Sequence, residues 1–285
     1  MKNQRTSEKN NDKYARLGNK KMNELSRFEK EHNKYWLQSF EKIAENGYWE
    51  SNYKSLNITT YNFLSRRESV KKLVKGGNYK TVLDLGCGTG EYVETLIEFS
   101  KSYVGIDYSK SMISIAKNKY KNIKSNPEFI VGSGEEIPFN NGKFDMVCAI
   151  GYLQYFVDPD KTLNEISRVL KPGGTLIIQS YQNYPFKLPF SNQLRECLRL
   201  IYNKIKNKEY LKFSDRPYSK KELDNLLLNH GFEIKDYDYS NFMVFPLSRY
   251  FPTLYINISE MVHREYPDKF KYFAVNYIAN YILNK

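Results

Sequence analysis

An aspartate followed by closely spaced glycines is the part of the sequence best suited to binding chemistry. Asp84 precedes Gly86, Gly88 and Gly90, which occupy alternate positions. Apolar residues before the glycines have strand-like character, and after Gly90 their spacing becomes helical, so the segment predicts a strand, a tight turn and a helix start. Glycines let the backbone turn sharply and let a ligand approach the peptide groups. The helix start adds unpaired N–H groups and the positive end of its dipole.

The glycine spacing decides which ligand this turn could hold. A dinucleotide fingerprint reads G-x-G-x-x-G, but here the order is G-x-G-x-G, and Glu91 stands where the third dinucleotide glycine would fall. A carboxylate there would repel a pyrophosphate. Residues 82–90 instead resemble V-L-D-x-G-C-G-T-G, the first motif of class I S-adenosylmethionine-dependent methyltransferases of the small-molecule type, similar to the ubiquinone/menaquinone-biosynthesis group. A purely structural glycine turn is the alternative.

Two later segments extend this resemblance. Asp107 ends the next predicted strand about twenty residues after the glycines, where a carboxylate can accept hydrogen bonds from both ribose hydroxyls. Residues 132–139 resemble the family segment G-D-A-E-x-L-P-F, which lies along the adenine ring. Ser133 replaces its usual aspartate, so we expect adenine recognition by an uncharged hydroxyl, with the backbone N–H of Gly134 also available.

The segment after the fourth predicted strand resembles the family motif x-x-L-x-H-V-x-D-P, with Tyr155 in the place where relatives often carry histidine. A phenol has an ordinary pKa near 10, so we expect Tyr155 to position the acceptor rather than to abstract a proton. The resemblance implies S-adenosyl-L-methionine as cofactor and no metal. The cofactor-binding residues that it implies are Asp84, Gly86, Cys87, Gly88, Gly90, Asp107, Tyr108, Ser133, Gly134, Glu135 and Ile150.

Strand and helix patterns alternate regularly through the middle of the chain, which predicts a parallel sheet covered on both faces. Together with the resemblance, this implies an α/β, doubly wound, seven-stranded and mainly parallel sheet of the Rossmann-like methyltransferase type. The predicted divisions are a basic flexible tail (1–25), a helical cover (26–79), a cofactor-binding core (80–180), a basic lid insertion (181–217), and a C-terminal part of the core with an aromatic substrate-side segment (218–285).

The net charge of +12 is concentrated in two segments. Residues 1–30 carry a net charge of +5 and residues 187–221 carry +7, while the remainder is balanced. Basic segments are candidates to meet an anionic partner. The basic amphipathic helix predicted within 181–217 has three interpretations that the sequence leaves open: a substrate lid, a contact with a membrane surface, or ordinary packing with a solvated face.

Composition favours a reduced cytoplasmic protein. The three cysteines have no C-x-x-C spacing, no apolar run approaches eighteen residues, and the N-terminus lacks a signal-peptide pattern. We expect a small anionic metabolite, such as a sugar nucleotide, as the methyl acceptor. A lipid, quinone or polyprenyl-linked headgroup reached by peripheral membrane contact is the alternative. An RNA or protein methyltransferase is less favoured, because no nucleic-acid-binding module is visible. The oligomeric state stays open.

Overall fold

The computed structural model describes residues 27–47, 57–156, 158–181, 218–242 and 250–284. The predicted basic tail (1–25) therefore lies outside the described residues. So does the predicted lid (181–217), apart from Tyr181.

Seven strands within the described residues form one sheet in the order β3-β2-β1-β4-β5-β7-β6. The strands are β1 (Tyr79–Leu85), β2 (Ser100–Asp107), β3 (Glu128–Val131), β4 (Phe144–Ala149), β5 (Leu170–Tyr181), β6 (Phe232–Phe242) and β7 (Ala274–Leu283). The first five are parallel, and β7 runs antiparallel to both of its neighbours, β5 and β6. The strand order reverses between β1 and β4, which is where open α/β sheets bind ligands.

Seven α-helices lie within the described residues. They are α1 (27–45), α2 (Ile58–Val74), α3 (Val93–Ile97), α4 (Lys110–Tyr120), α5 (Pro159–Val169), α6 (Lys220–Asn229) and α7 (Pro252–Glu265). The side chain of Ser109 accepts from the N–H of Met112 at 3.1 Å, as expected of an N-cap. Ser219 and Glu222 form a reciprocal capping box at α6.

The two faces of the sheet bury separate apolar clusters because successive strand residues point to opposite sides. In β1, Leu83 and Leu85 pack into one cluster with α5 and α6, whereas Val82 packs into the other with α2, α3 and α4. The last four residues of β1 and all but one residue of β4 are buried. This rigid core holds the loops at the carboxyl ends of β1, β2 and β4 in fixed relative positions.

The predicted fold class is confirmed, with differences in the limits of individual elements. The sequence pattern predicts a last strand near Tyr272–Ile278, whereas a short 3₁₀ turn occupies 271–273 and β7 extends to Leu283. The sequence Lys-Pro-Gly-Gly at 171–174 predicts a turn, but it lies within β5, where the pairing with β4 shifts register between Leu170 and Thr175.

Candidate active site

A cavity of about 470 Å³ lies at the carboxyl ends of β1, β2 and β4, beneath α1. This volume is within the range of pockets that hold small molecules. The sequence-predicted residues that line it are Gly86, Cys87, Gly88, Asp107, Tyr108, Ser133, Glu135, Ile150 and Tyr155. Asp84, Gly90 and Gly134 stand outside this lining, so the predicted residues divide into a cavity wall and a supporting layer.

The glycine turn has the backbone that its sequence predicts. Gly86, Gly88 and Gly90 have φ values of +71°, +53° and +87°, in the left-handed region that favours glycine. Gly88 borders the cavity, and a Cβ atom built on it meets no protein atom within 4 Å. A ligand could therefore approach the turn closely at Gly88.

Asp107 joins the glycine turn to the start of α4. One carboxylate oxygen, Oδ2, accepts from the N–H of Gly88 at 2.9 Å, and the other, Oδ1, accepts from the N–H of Ser109 at 2.8 Å. Burial raises the pKa of Asp107, although these backbone hydrogen bonds oppose the shift. An ionised carboxylate has about four acceptor sites, so Asp107 can still receive two hydroxyl groups from the cavity.

Asp84 lies beneath the glycine turn rather than on the cavity surface. Its side chain is 1% exposed, and Oδ2 accepts from the phenol of Tyr103 at 2.7 Å. Burial raises the pKa of Asp84 to about 7, and the Tyr103 hydrogen bond opposes this shift. Asp84 therefore links β1 to β2 within the core, and its predicted contact with the cofactor stays a prediction.

The segment 133–135 is held by a tyrosine that the sequence analysis did not select. The N–H of Gly134 donates to Tyr152 Oη at 2.9 Å, so the expectation that this N–H is available to a ligand is wrong. A Cβ atom on Gly134 would lie 2.3 Å from Tyr152 Oη, and one on Gly86 would lie 2.4 Å from the Tyr152 ring. Glycine is thus required at both positions for the ring to fit between them.

Aromatic side chains from α1 and the 3₁₀ helix Leu153–Tyr155 form one wall of the cavity. The ring of Tyr155 lies 4.6 Å from the ring of Trp36 and 5.1 Å from that of Phe40, in edge-to-face contacts. Such contacts contribute about 0.5–1.5 kcal/mol each beyond area burial. The structure therefore places Tyr155 on the cavity wall, packed against α1.

Polar contacts at both ends of α1 hold it above the cavity. Glu29 pairs with Lys161 of α5 at 3.2 Å, and Glu41 Oε1 accepts from the N–H of Ser111, in the first turn of α4, at 3.5 Å. A carboxylate at a helix N-terminus is favoured by the helix dipole.

Comparison with known proteins places this architecture in a family. A protein-family model described as "Methyltransferase domain" matches residues 77–231 of this chain. Demethylmenaquinone methyltransferase from Oceanobacillus iheyensis is 33% identical over 68% of this chain and 88% of its own length. An uncharacterized protein from Methanocaldococcus jannaschii is 30% identical over 70% of this chain and 80% of its own.

This chain belongs to the class I S-adenosylmethionine-dependent methyltransferases. The methyltransferase fold is shared with solved structures of lower identity. Magnesium protoporphyrin IX methyltransferase from Synechocystis, solved with bound S-adenosylhomocysteine, aligns with a TM-score of 0.60 at 13% identity, covering 89% of this chain and 100% of that one. A methyltransferase from Haloferax volcanii, solved in complex with the Trm112 methyltransferase activator, also aligns with a TM-score of 0.60. Its identity to this chain is 21%, and the alignment covers 86% of this chain and 98% of that one.

The methyltransferase cavity has further polar residues that the sequence analysis missed. Arg66 of α2 is 5% exposed and borders the cavity, and its Nη1 donates to Gln179 Oε1 at 3.4 Å and to Tyr181 Oη at 3.3 Å. Gln179 and Tyr181 belong to β5, more than 110 positions later in the chain. The only local signal was the helical pattern of α2, which did not show that Arg66 faces a cavity.

The described ranges contain neither a candidate membrane-spanning helix nor a candidate metal-binding cluster. Among their helices, none has both the length and the apolar character needed to cross a bilayer. Among their His, Cys, Asp and Glu side chains, no group of three or more is placed to hold a metal ion.

Proposed function

We propose that this methyltransferase binds S-adenosyl-L-methionine in the cavity between the glycine turn, Asp107 and segment 133–135. The placement of Asp107 is the observation that carries this assignment. Its two oxygens are oriented by backbone N–H groups from two different elements, and the remaining lone pairs are free to accept from a ribose. The left-handed turn at Gly88, with open space beside it, suits the approach of the amino-acid part of the cofactor.

The residues present fit the cofactor in size and in chemistry. When bound, S-adenosylmethionine supplies a methyl group that is already activated by the sulfonium for in-line displacement. The protein then needs mainly to position the acceptor and to exclude water. Tyr108 and Met112 provide apolar surface beside Asp107 for the adenine, while α1 shields the cavity from solvent.

The acceptor that the described residues favour is an amphiphilic molecule with a flat ring, of the quinol type. Trp36, Phe40 and Tyr155 present ring faces and edges to the cavity, and aromatic groups pack well on such surfaces. The relatives named as demethylmenaquinone methyltransferases support the same class. An exposed apolar surface that includes Tyr250, Phe251 and Leu254 suits peripheral contact with a membrane in which such an acceptor resides.

An anionic water-soluble metabolite is the second candidate. The buried guanidinium of Arg66 on the cavity wall favours it, because a desolvated cation attracts an anion strongly. The predicted basic lid (181–217), whose charge would also suit an anionic acceptor, lies outside the described residues apart from Tyr181.

Calorimetric titration with S-adenosylhomocysteine tests the cofactor site. In Asp107→Asn, each lost hydroxyl hydrogen bond should cost about 1.5–3 kcal/mol, or about 10- to 150-fold in affinity. Glu128→Gln is the matched control, because it removes a carboxylate from the other end of the same sheet, next to Val104. The 2′-deoxy analogue of S-adenosylhomocysteine lacks one of these hydroxyls. Its affinity should therefore differ less between Asp107→Asn and wild type than the affinity of S-adenosylhomocysteine does.

Equal binding of S-adenosylhomocysteine to Asp107→Asn and wild type would refute the assignment of Asp107. The acceptor class is tested separately, by methyl transfer to 1,4-dihydroxynaphthalene carrying a short isoprenyl chain. Transfer to this quinol supports the first candidate. Transfer only to anionic sugar nucleotides would support the second.

A further inference from the structure

A chain of hydrogen-bonded amide groups lies behind the cavity wall that α2 and β5 form. It starts at Arg66, because a guanidinium can only donate hydrogen bonds. Arg66 Nη1 donates to Gln179 Oε1 at 3.4 Å, which leaves Gln179 Nε2 to donate to Asn276 Oδ1 at 2.9 Å. Asn276 Nδ2 then donates to Asn62 Oδ1 at 3.0 Å. The arginine therefore sets the direction in which every amide of the chain points.

Asn62 is the last amide of this chain and has an unused donor at the cavity. Its Oδ1 also accepts from Asn241 Nδ2 at 2.8 Å, and Asn241 Oδ1 in turn accepts from the phenol of Tyr255. Both lone pairs of the Asn62 amide oxygen are thus engaged. Asn62 is partly exposed and lines the cavity, and no group in the described ranges accepts from its Nδ2. The chain therefore makes Asn62 present a donor to any ligand in the cavity.

Tyr181, at the end of β5, adds a second donor on the same wall. Its Oη accepts from Arg66 Nη1 at 3.3 Å, so the hydroxyl hydrogen is left for a ligand. Tyr181 lines the cavity, and among the residues that the structure describes none accepts from this hydroxyl. Arg66 also donates through Nε to the backbone oxygen of Asn62 at 3.2 Å. One buried cation therefore holds both donors and polarises the phenol, which strengthens it as a donor.

The two donors lie on the side of the cavity away from the proposed adenosine site. Strands β1 and β4 stand between β2, which ends at Asp107, and β5, which ends at Tyr181. Three strand spacings of about 4.8 Å separate these two strands by about 14 Å. The rings of Trp36, Phe40 and Tyr155 border the same cavity. The donors are therefore placed to contact a flat molecule that binds beside the cofactor.

We infer that Asn62 Nδ2 and Tyr181 Oη bind one ring oxygen of the methyl acceptor. The inference rests on the proposed function, in which the first candidate acceptor is a quinol. A phenolic oxygen has lone pairs for both donors, and donors fixed before binding lower the entropy cost of the complex. A ligand that places an N–H group or an ammonium at this point would leave both donors unpaired. The pair therefore selects an oxygen acceptor over an amine.

Calorimetry on isosteric variants tests this inference. Asn62→Asp keeps the oxygen that accepts from Asn241 and Asn276 but replaces the donor with an acceptor. Tyr181→Phe removes only the hydroxyl. Tyr237→Phe is the control, because it removes an exposed phenol of β6 that stands outside the cavity lining.

The ligands are titrated without oxygen into protein saturated with S-adenosylhomocysteine. They are 1,4-dihydroxynaphthalene carrying a short isoprenyl chain, and the two analogues of this quinol that each lack one hydroxyl. Binding of S-adenosylhomocysteine to the free protein is measured separately for every variant.

We expect Asn62→Asp to weaken the quinol at least about tenfold and Tyr181→Phe at least about fivefold, while the control changes its affinity less than about twofold. S-adenosylhomocysteine should change less than about twofold throughout, which separates contact with the acceptor from damage to the fold. The monohydroxy analogue that lacks the bound oxygen should bind wild type and Asn62→Asp alike. The other analogue should keep the difference between them.

Equal binding of the quinol to wild type and both variants would overturn the inference. So would a loss of S-adenosylhomocysteine affinity as large as the loss of quinol affinity, because the two residues would then support the cofactor site or the fold. If wild type binds S-adenosylhomocysteine but not the quinol, the quinol-type acceptor is refuted and this inference with it. If wild type binds neither, the proposed cofactor site itself is refuted, and the inference fails with it.

Discussion

Replacing Asp84 with asparagine should change how the stability of this methyltransferase depends on pH. Burial raises the pKa of Asp84 to about 7 in the folded protein, whereas an aspartate in an unfolded chain has a pKa of about 3.9. The folded state thus keeps a proton that the unfolded state releases. The stability due to Asp84 is fully present below about pH 4 and is lost as the pH rises to about 7.

The size of the effect follows from the difference between the two pKa values. Three pKa units correspond to about 4 kcal/mol, of which about 1.5 kcal/mol is already lost at pH 5, so about 2.5 kcal/mol is lost between pH 5 and pH 8. Asparagine does not titrate, and its Oδ1 can still accept from Tyr103. From pH 5 to pH 8, the free energy of unfolding of Asp84→Asn should therefore rise by about 2.5 kcal/mol relative to wild type.

Urea unfolding followed by circular dichroism at pH 5 and pH 8 measures this change. Comparing the two pH values removes any constant offset that the substitution adds. Asp145→Asn is the control: burial would raise the pKa of Asp145, but its hydrogen bond with Lys171 lowers it below the ordinary value. Its contribution is lost only at lower pH. If the free energy of unfolding of Asp84→Asn differs from that of wild type by the same amount at pH 5 and pH 8, the raised pKa of Asp84 is refuted.

Two further changes test the packing around the sheet. Asp238→Asn should lower the free energy of unfolding by about 3 kcal/mol, measured in urea at pH 7, because the buried carboxylate pairs with His263 at 2.6 Å and with Lys72 at 2.6 Å. A decrease below about 1 kcal/mol would contradict this prediction. Gly134→Ala should weaken the binding of S-adenosylhomocysteine at least tenfold in calorimetry, because the new Cβ would lie 2.3 Å from Tyr152 Oη. Adding Tyr152→Phe removes this oxygen and should restore part of the affinity. If the double variant recovers no affinity, the clash is not the cause.

The proposed cofactor side of the cavity could be predicted from sequence because each part of it is local. The glycine turn, Asp107 and the segment 133–135 each follow a strand directly, and a parallel sheet brings the carboxyl ends of its strands together. The burial of Asp84 was harder to predict from the sequence, because it depends on Tyr103 of the neighbouring strand.

The contacts on the other side of the cavity could not be predicted, although Tyr155 itself was, because these residues meet only through tertiary packing. Trp36 and Tyr155 are separated by more than 110 positions, and each belongs to a pattern that also fits simple burial. Tyr152 fills space left by Gly86 and Gly134, and no spacing rule reports such a fit. The same limit applies to Arg66, which donates to Gln179 and Tyr181 of β5.

The position of β7 between β5 and β6 has a consequence for folding during synthesis. Residues 182–273 separate β5 from β7, and among the described strands β6 pairs with β7 alone. Until Ala274–Leu283 has left the ribosome, β5 keeps an unpaired edge and β6 has no strand to join. Non-local pairing of this kind slows folding, and open strand edges invite association between chains. The nascent protein is therefore most prone to aggregate after β6 has been made and before β7 inserts.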